Sequence, residues 1–178
     1  MKVKKSARRK LADKATELAY ATSTHKANYP DGKPKDEYKK ALNKAYPDRS
    51  KWGKATRKGA SCDVYVGTTV RSSGVDKKFP RKLNSQYGYL AKSKKFGRIK
   101  SIEREKKIKN KIKLLKDGDI IIYKRNNGKG HICFFVDGKI KQGAHEKFYP
   151  RTDKSVKGML NPKGKKFVRV YRARWMYD

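Results

Sequence analysis

Residues 117–143 read DGDIIIYKRNNGKGHICFFVDGKIKQG. DGDIIIYKR is an apolar strand, NNGKG is a turn, and HICFFVDGKIKQG is a hairpin. Asp137-Gly138 takes the two-residue position that type I′ turns require. Period-two alternation puts His131, Cys133 and Phe135 on one face of the hairpin and Ile132, Phe134 and Val136 on the other. Downstream, KKFVRVYRARW at 165–175 alternates as a last strand.

Upstream the pattern changes period. In SARRKLADKATELAYAT (6–22), Ala7, Leu11, Ala15, Leu18 and Ala19 form one helical stripe. In DEYKKALNKAY (36–46), Tyr38, Ala41, Leu42 and Ala45 do the same, and NYPDGKPKD between the two is a Pro/Gly/Asp turn region. PDRSKWGKATRKGAS (47–61) reads as loop, with Trp52 its only large apolar residue. CDVYVGTTVRSS then reads as a helix ending at Gly74, although its Val, Thr and Tyr content also suits a strand. VDKKFPRKLNSQYGYLAKS (75–93) gives a loop and a short helix. RIKSIEREKKIKNKIKLLK (98–116) alternates charge with Ile and Leu, fits a helix or an extended charged excursion, and reads as a solvated face. Helices first and an antiparallel meander afterwards make an α+β arrangement. Its expected division is a basic helical segment over 1–50, part of the core or packed on it, and a core over 51–178.

The chain has 178 residues, 35% of them hydrophobic, so its core must be compact. No stretch has the apolar length that spans a bilayer. The basic start MKVKKSARRKLADKA lacks the apolar centre of a secretory signal. Fifty Lys and Arg against sixteen Asp and Glu give a formal charge of +34. That excess calls for a polyanionic surrounding: nucleic acid, an acidic wall polymer or an anionic membrane surface. Two cysteines, Cys62 and Cys133, make no disulfide framework. With His25, His131 and His145 they show no paired metal-ligand spacing, so neither metal nor cofactor is expected.

Cys133 reads as a small buried hydrophobe. Cys62 is different, because it opens a predicted helix. Free amides and the dipole at a helix start stabilise a thiolate and lower its pKa, and the Cys62 N–H is placed to serve as half of an oxyanion hole. Such a cysteine needs a base from elsewhere in the chain. His131, at the mouth of a strand after a glycine-flanked turn, is suited to face a helix packed across the sheet. Its second ring nitrogen needs a polar orienter. Gln142 pairs back roughly opposite the start of HICFFV, and His145 is the alternative. Nucleophile on a helix, base on a strand and orienter on the return strand follow the papain-like order.

On GASCDVYVGTTVRSSG around Cys62, LLKDGDIIIY, and GHICFFVDGKIKQGAH, the chain resembles the NlpC-type papain-like cysteine peptidases and amidases of bacterial cell walls and their phages, to which CHAP amidases are close in fold. The resemblance covers about the second two-thirds of the chain. It implies a papain-like fold with the N-terminal helices packed on the sheet. It implies Cys62 as nucleophile, His131 as general base and Gln142 in the third place, where the family commonly has His. Asp119 matches a structural position that holds the loop into the strand. The family commonly shows Asp-Cys-Ser, whereas this chain has Ser61-Cys62-Asp63. The family's oxyanion-hole tyrosine has three counterparts here, Tyr20, Tyr29 and Tyr46.

The implied reaction is cleavage of a stem-peptide or cross-bridge amide of peptidoglycan, or of an analogous wall polymer, through a thioester. The positive charge then serves adhesion to acidic wall polymers. The protein is expected to act as a monomer, made in a host cytoplasm and reaching the wall through a holin or on a virion, as a phage or prophage lysin does. Two other classes compete. A nucleic-acid-binding protein would use the basic and aromatic residues interleaved in KKFVRVYRARW and KKFGRIK. A catalytically silent papain-like domain would only bind the wall.

Overall fold

The computed structural model describes residues 5–21, 34–52, 61–143, 149–153 and 155–174. The helices are α1 (Ala7–Leu18), α2 (Asp36–Ala45), α3 (Cys62–Ser72), α4 (Leu83–Lys92), α5 (Lys100–Arg104), α6 (Ile108–Leu114) and α7 (Val156–Leu160). The strands are β1 (Phe96–Arg98), β2 (Asp119–Arg125), β3 (Gly130–Val136), β4 (Lys139–Gln142), β5 (Arg151–Asp153) and β6 (Lys165–Ala173). All six form one antiparallel sheet in the order β1-β6-β2-β3-β4-β5. The class is α+β, with N-terminal helices packed against the sheet.

The sheet is not a simple meander. Strands β2 to β5 run as one, but β6 returns to the free edge of β2, and β1 adds outside it. This makes β2 central, and Ile120, Ile121 and Ile122 are all fully buried, as continuous apolar strands are when both faces are covered. On the first face Ile120, Ile122, Ile132, Phe134 and Val136 pack with residues of α1 to α4. On the second, Ile121, Cys133, Phe135, Ile140 and Val170 pack with Ile102, Leu115, Val156 and Leu160. Residues 98–116 are therefore not a solvated face. Arg98 belongs to β1, and the rest forms α5, α6 and their flanks, which turn Ile102 and Leu115 into the second core and leave the lysines outward except Lys111, which is buried. Ile99, Ile102, Ile112 and Leu115 lie in or against this core, which is enough for a one-sided cover.

The N-terminal stripe is buried as its spacing predicts, and Ser6 caps α1 by accepting from the Arg9 N–H at 3.2 Å. Helix α3 is buried along seven consecutive residues, and α1 and α2 share its core. Tyr65 Oη donates to Ala15 O at 2.8 Å, tying α3 to α1. Helix α3 stops short of Gly74, and the β3–β4 turn has positive φ at both Asp137 (50°) and Gly138 (71°), as type I′ geometry demands.

Asp119 has the structural role its position implied. It is fully buried, accepts from Lys116 N–H at 2.9 Å, and takes a two-point bond from Arg172, with Nε and Nη2 both at 2.7 Å. Asp119→Ala strands the guanidinium and the Lys116 amide together. A loss of about 3–5 kcal/mol is expected in urea unfolding, the usual effect of removing one member of a buried pair.

Candidate functional site around Cys62 and His131

Cys62 is the first residue of α3, and Ser61 is its N-cap. The first bond of the helix ladder runs from Tyr65 N–H to Ser61 O at 2.9 Å, which leaves the Cys62 N–H outside it. The sequence Ser61-Cys62-Asp63 has its own logic. Asp63 Oδ1 accepts from Ser61 Oγ (2.6 Å) and Val64 N–H (2.9 Å), while Oδ2 accepts from Leu83 N–H (3.2 Å) at the start of α4. Asp63 thus fastens the Cys62 end of α3 to α4. The half-buried Cys62 thiol lies toward the backbone N–H of Ile132, the residue after His131.

His131 meets Gln142 directly, with its Nε2 2.7 Å from Gln142 Oε1. Gln142 Nε2 is in turn 3.4 Å from Asp153 Oδ2. A carboxylate only accepts, so this contact turns the amide nitrogen toward Asp153 and the amide oxygen toward His131. The ring therefore carries its proton on Nε2 and keeps the lone pair on Nδ1. Burial is the main cause that lowers the His131 pKa below its ordinary value. The Gln142 bond opposes it, and the positive charges of Arg125, Arg151 and Lys165 lower it further. The imidazole is neutral at neutral pH.

Two expectations need correction. Helix α3 packs on the Ile132/Phe134 face, whereas the pleat places the His131 ring with Cys133 and Phe135 on the second face. His131 does not look across the sheet at α3. Cys62 and His131 are neighbours only through the backbone of Ile132, which the thiol faces. No hydrogen bond joins their side chains among the described residues.

The second correction concerns the thiol. Burial pushes the Cys62 pKa up to about 11, and the Asp63 charge adds to this. The Ile132 N–H and the helix-start amides act the other way but do not prevail. Cys62 is a neutral thiol at pH 7. Its alkylation by iodoacetamide should accelerate about tenfold per pH unit between pH 7 and 10, as the thiolate fraction grows. Asp63→Asn should move that rise to lower pH. A rate already level at pH 7 would mean a preformed thiolate.

The tyrosine candidates lie elsewhere. The Tyr20 ring stacks edge-on with Tyr149 at 5.3 Å, and its backbone bridges to Arg151 in β5. Tyr46 lies against Arg71 and Trp52, and its hydroxyl sits over Gly67, more than one helical turn along α3 from Cys62. Tyr29 and His145 fall outside the described residues. The tyrosine beside Cys62 is Tyr87 of α4, which sequence reading missed. Its Oη donates to Tyr123 O at 2.9 Å, and its pKa is pushed up to about 12, first by burial and then by the neighbouring Cys62. Nothing local in LNSQYGYLAK marks it, since only the docking of α4 brings it there.

A cavity of about 580 Å³ lined by Lys14, Lys40, Lys44, Arg71 and Lys77, with Glu17 and Glu37, opens between α1, α2 and the C-terminal end of α3. It lies at the far end of α3 from Cys62 and is not part of this site. Among the described residues no group of three or more His, Cys, Asp and Glu is placed to hold a metal ion, and no helix is long and apolar enough to cross a membrane.

No family model matches the chain, and no curated protein and no solved structure is similar to it. Its class thus rests on its own geometry: an α+β chain with helices on a six-stranded antiparallel sheet, a histidine bonded to a glutamine at the end of β3, and a cysteine that faces the neighbouring Ile132 backbone.

Proposed function

We propose that the chain is a papain-like cysteine hydrolase that cleaves an amide of a peptidoglycan-type wall polymer, as the NlpC-type resemblance implies. The observation that carries this reading is the His131–Gln142 bond of 2.7 Å at the end of β3, beside the helix-opening Cys62. A histidine held by a neutral amide, with Nδ1 left free, is an oriented base.

The protonation states define the route. With a neutral thiol and a neutral imidazole, attack and proton transfer occur together. For this the His131 ring, which the pleat turns from α3, must swing so that Nδ1 meets the thiol: Cys62 Sγ bonds to the carbonyl carbon as its proton passes to His131 Nδ1, and the Cys62 N–H meets the oxyanion. The C–N bond then breaks and His131 returns the proton to the leaving amine. Water attacks the thioester, giving a proton to His131. The C–S bond breaks, the acid leaves, and the thiol is restored. Gln142 carries no charge, so it steadies the ring's direction without stabilising an imidazolium. Activity falls in acid as His131 becomes protonated, below its ordinary pKa of about 6.5.

The charge of +34 supplies adhesion to acidic polymers of the wall, screened by salt. The lysine-lined cavity at the far end of α3 would let that adhesion act without covering the site. The test is release of new free amines from purified wall preparations; protein that releases none from any of them is not this hydrolase. Gln142→Ala should lower kcat/KM roughly 10- to 100-fold, less than the roughly 10²- to 10⁴-fold a general base contributes, because the His131 ring itself remains. A larger loss with His145→Ala would transfer the third role to His145.

A further inference from the structure

Five strands contribute one transverse row to the second face of the sheet, in the order Lys165 on β6, Tyr123 and Arg125 on β2, His131 on β3, Gln142 on β4 and Arg151 on β5. Lys165 Nζ lies 4.1 Å and Arg125 Cζ 5.3 Å from the centroid of the Tyr123 ring, which is itself 5.8 Å from the His131 ring. On the other flank Arg151 is the register partner of Gln142. Its Nε is buried and has no hydrogen-bond partner.

Three cations therefore flank one half-buried imidazole. Among the described residues none of the three is in a salt bridge. Lys165 Nζ donates only to the carbonyls of Gly158 (2.6 Å) and Met159 (3.1 Å). Among the described residues the carboxylate that bonds to the row is Asp153, which accepts from Ser155 N–H at 3.0 Å through Oδ1 and faces Gln142 through Oδ2. Most of the chain's lysines and arginines reach water on flexible stems, but the Arg151 Nε is shielded from it. Like charges held together without a counter-ion, with a donor shut away from water, raise the free energy of the unliganded protein, and a bound anion removes both costs.

We propose that this row is a carboxylate subsite: the protein takes an acidic peptide whose carboxylate is received by the Arg151 guanidinium, with Lys165 and Arg125 completing the positive field around His131. A guanidinium matches a carboxylate with two parallel bonds, which also fixes direction. The phrase "acidic peptide" rests on the hydrolase reading; the anion site does not.

The binding test uses the full chain carrying Cys62→Ala and two probes, N-acetylglutamate and N-acetylglutamine, with the His131 ring followed by NMR; amine release and kcat/KM are read on the chain with Cys62 in place. A carboxylate beside the ring should raise the His131 titration midpoint and saturate, while the neutral amide leaves it unmoved. Arg151→Gln should weaken that response at least tenfold, Arg151→Lys should restore part of it, and Lys40→Gln in the distant cavity should not change it. Should Arg151→Gln unfold, the Lys165→Gln, Arg125→Gln pair takes its place with the same expectation. Equal responses to both probes, or a response that survives the substitutions in folded protein, overturns the subsite. Carboxylate binding without amine release from walls leaves the subsite standing and removes the hydrolase reading. Hydrolysis with equal kcat/KM on acidic and amidated peptides does the reverse.

Discussion

Cys62→Ala is expected to reduce amine release from wall preparations by at least about 10³-fold, with folding and salt-sensitive wall adhesion unchanged. The separation follows from the state of the residue. The thiol is neutral and only half-buried, so its removal strips no charge from the core. The change in stability should stay within about 1 kcal/mol, as for a small surface-near truncation. Adhesion rests on Lys and Arg spread over the chain, and one cysteine adds nothing to it. Activity surviving in Cys62→Ala would remove the nucleophile assignment. Preferential, salt-sensitive binding of DNA over walls would favour the nucleic-acid reading.

Gly130→Ala is expected to damage both stability and activity. A Cβ at this position overlaps Tyr87 Oη and comes within 2.8 Å of Tyr123 O, a backbone atom that cannot swing aside. The Tyr87–Tyr123 bond, now 2.9 Å, would be lost or the β2–β3 ladder forced apart. Overpacking of this kind costs about 1–3 kcal/mol, and the lost bond about 1 more. Thermal melting should report that loss. The same displacement moves His131, the next residue, so kcat/KM should fall even in the fraction that remains folded. An unchanged melting temperature would mean that Tyr87 swings aside freely, contrary to its bond with β2.

Much of the fold was legible because its elements carry local signals. Leu11, Ala15 and Leu18 recur at helical spacing and are buried. Asp137-Gly138 sets its hairpin by backbone chemistry alone, and the β3–β4 register follows from that turn. The short elements β1, β5 and α7 went unread, since three to five residues give no period to detect. The segment 98–116 was misjudged for a related reason. Its lysines dominate the composition, while a few apolar residues, Ile102 and Leu115 above all, decide which side turns inward.

For the site, the sequence by itself determined the cast: a cysteine opening a helix, a histidine after a glycine-flanked turn, and a glutamine on the return strand that the hairpin register brings diagonally to it. These depend on local periodicity, which a sequence expresses directly. Only the tertiary structure decided the protonation states, the partner tyrosine and the face. Burial and Asp63 outweigh the helix-start amides at Cys62, which no spacing reveals, because desolvation depends on what packs around the thiol. Tyr87 reaches the site through the docking of α4. The pleat turns His131 away from α3 and toward Arg125, Arg151 and Lys165, residues far apart in the chain that meet because β6, β2, β3, β4 and β5 lie side by side.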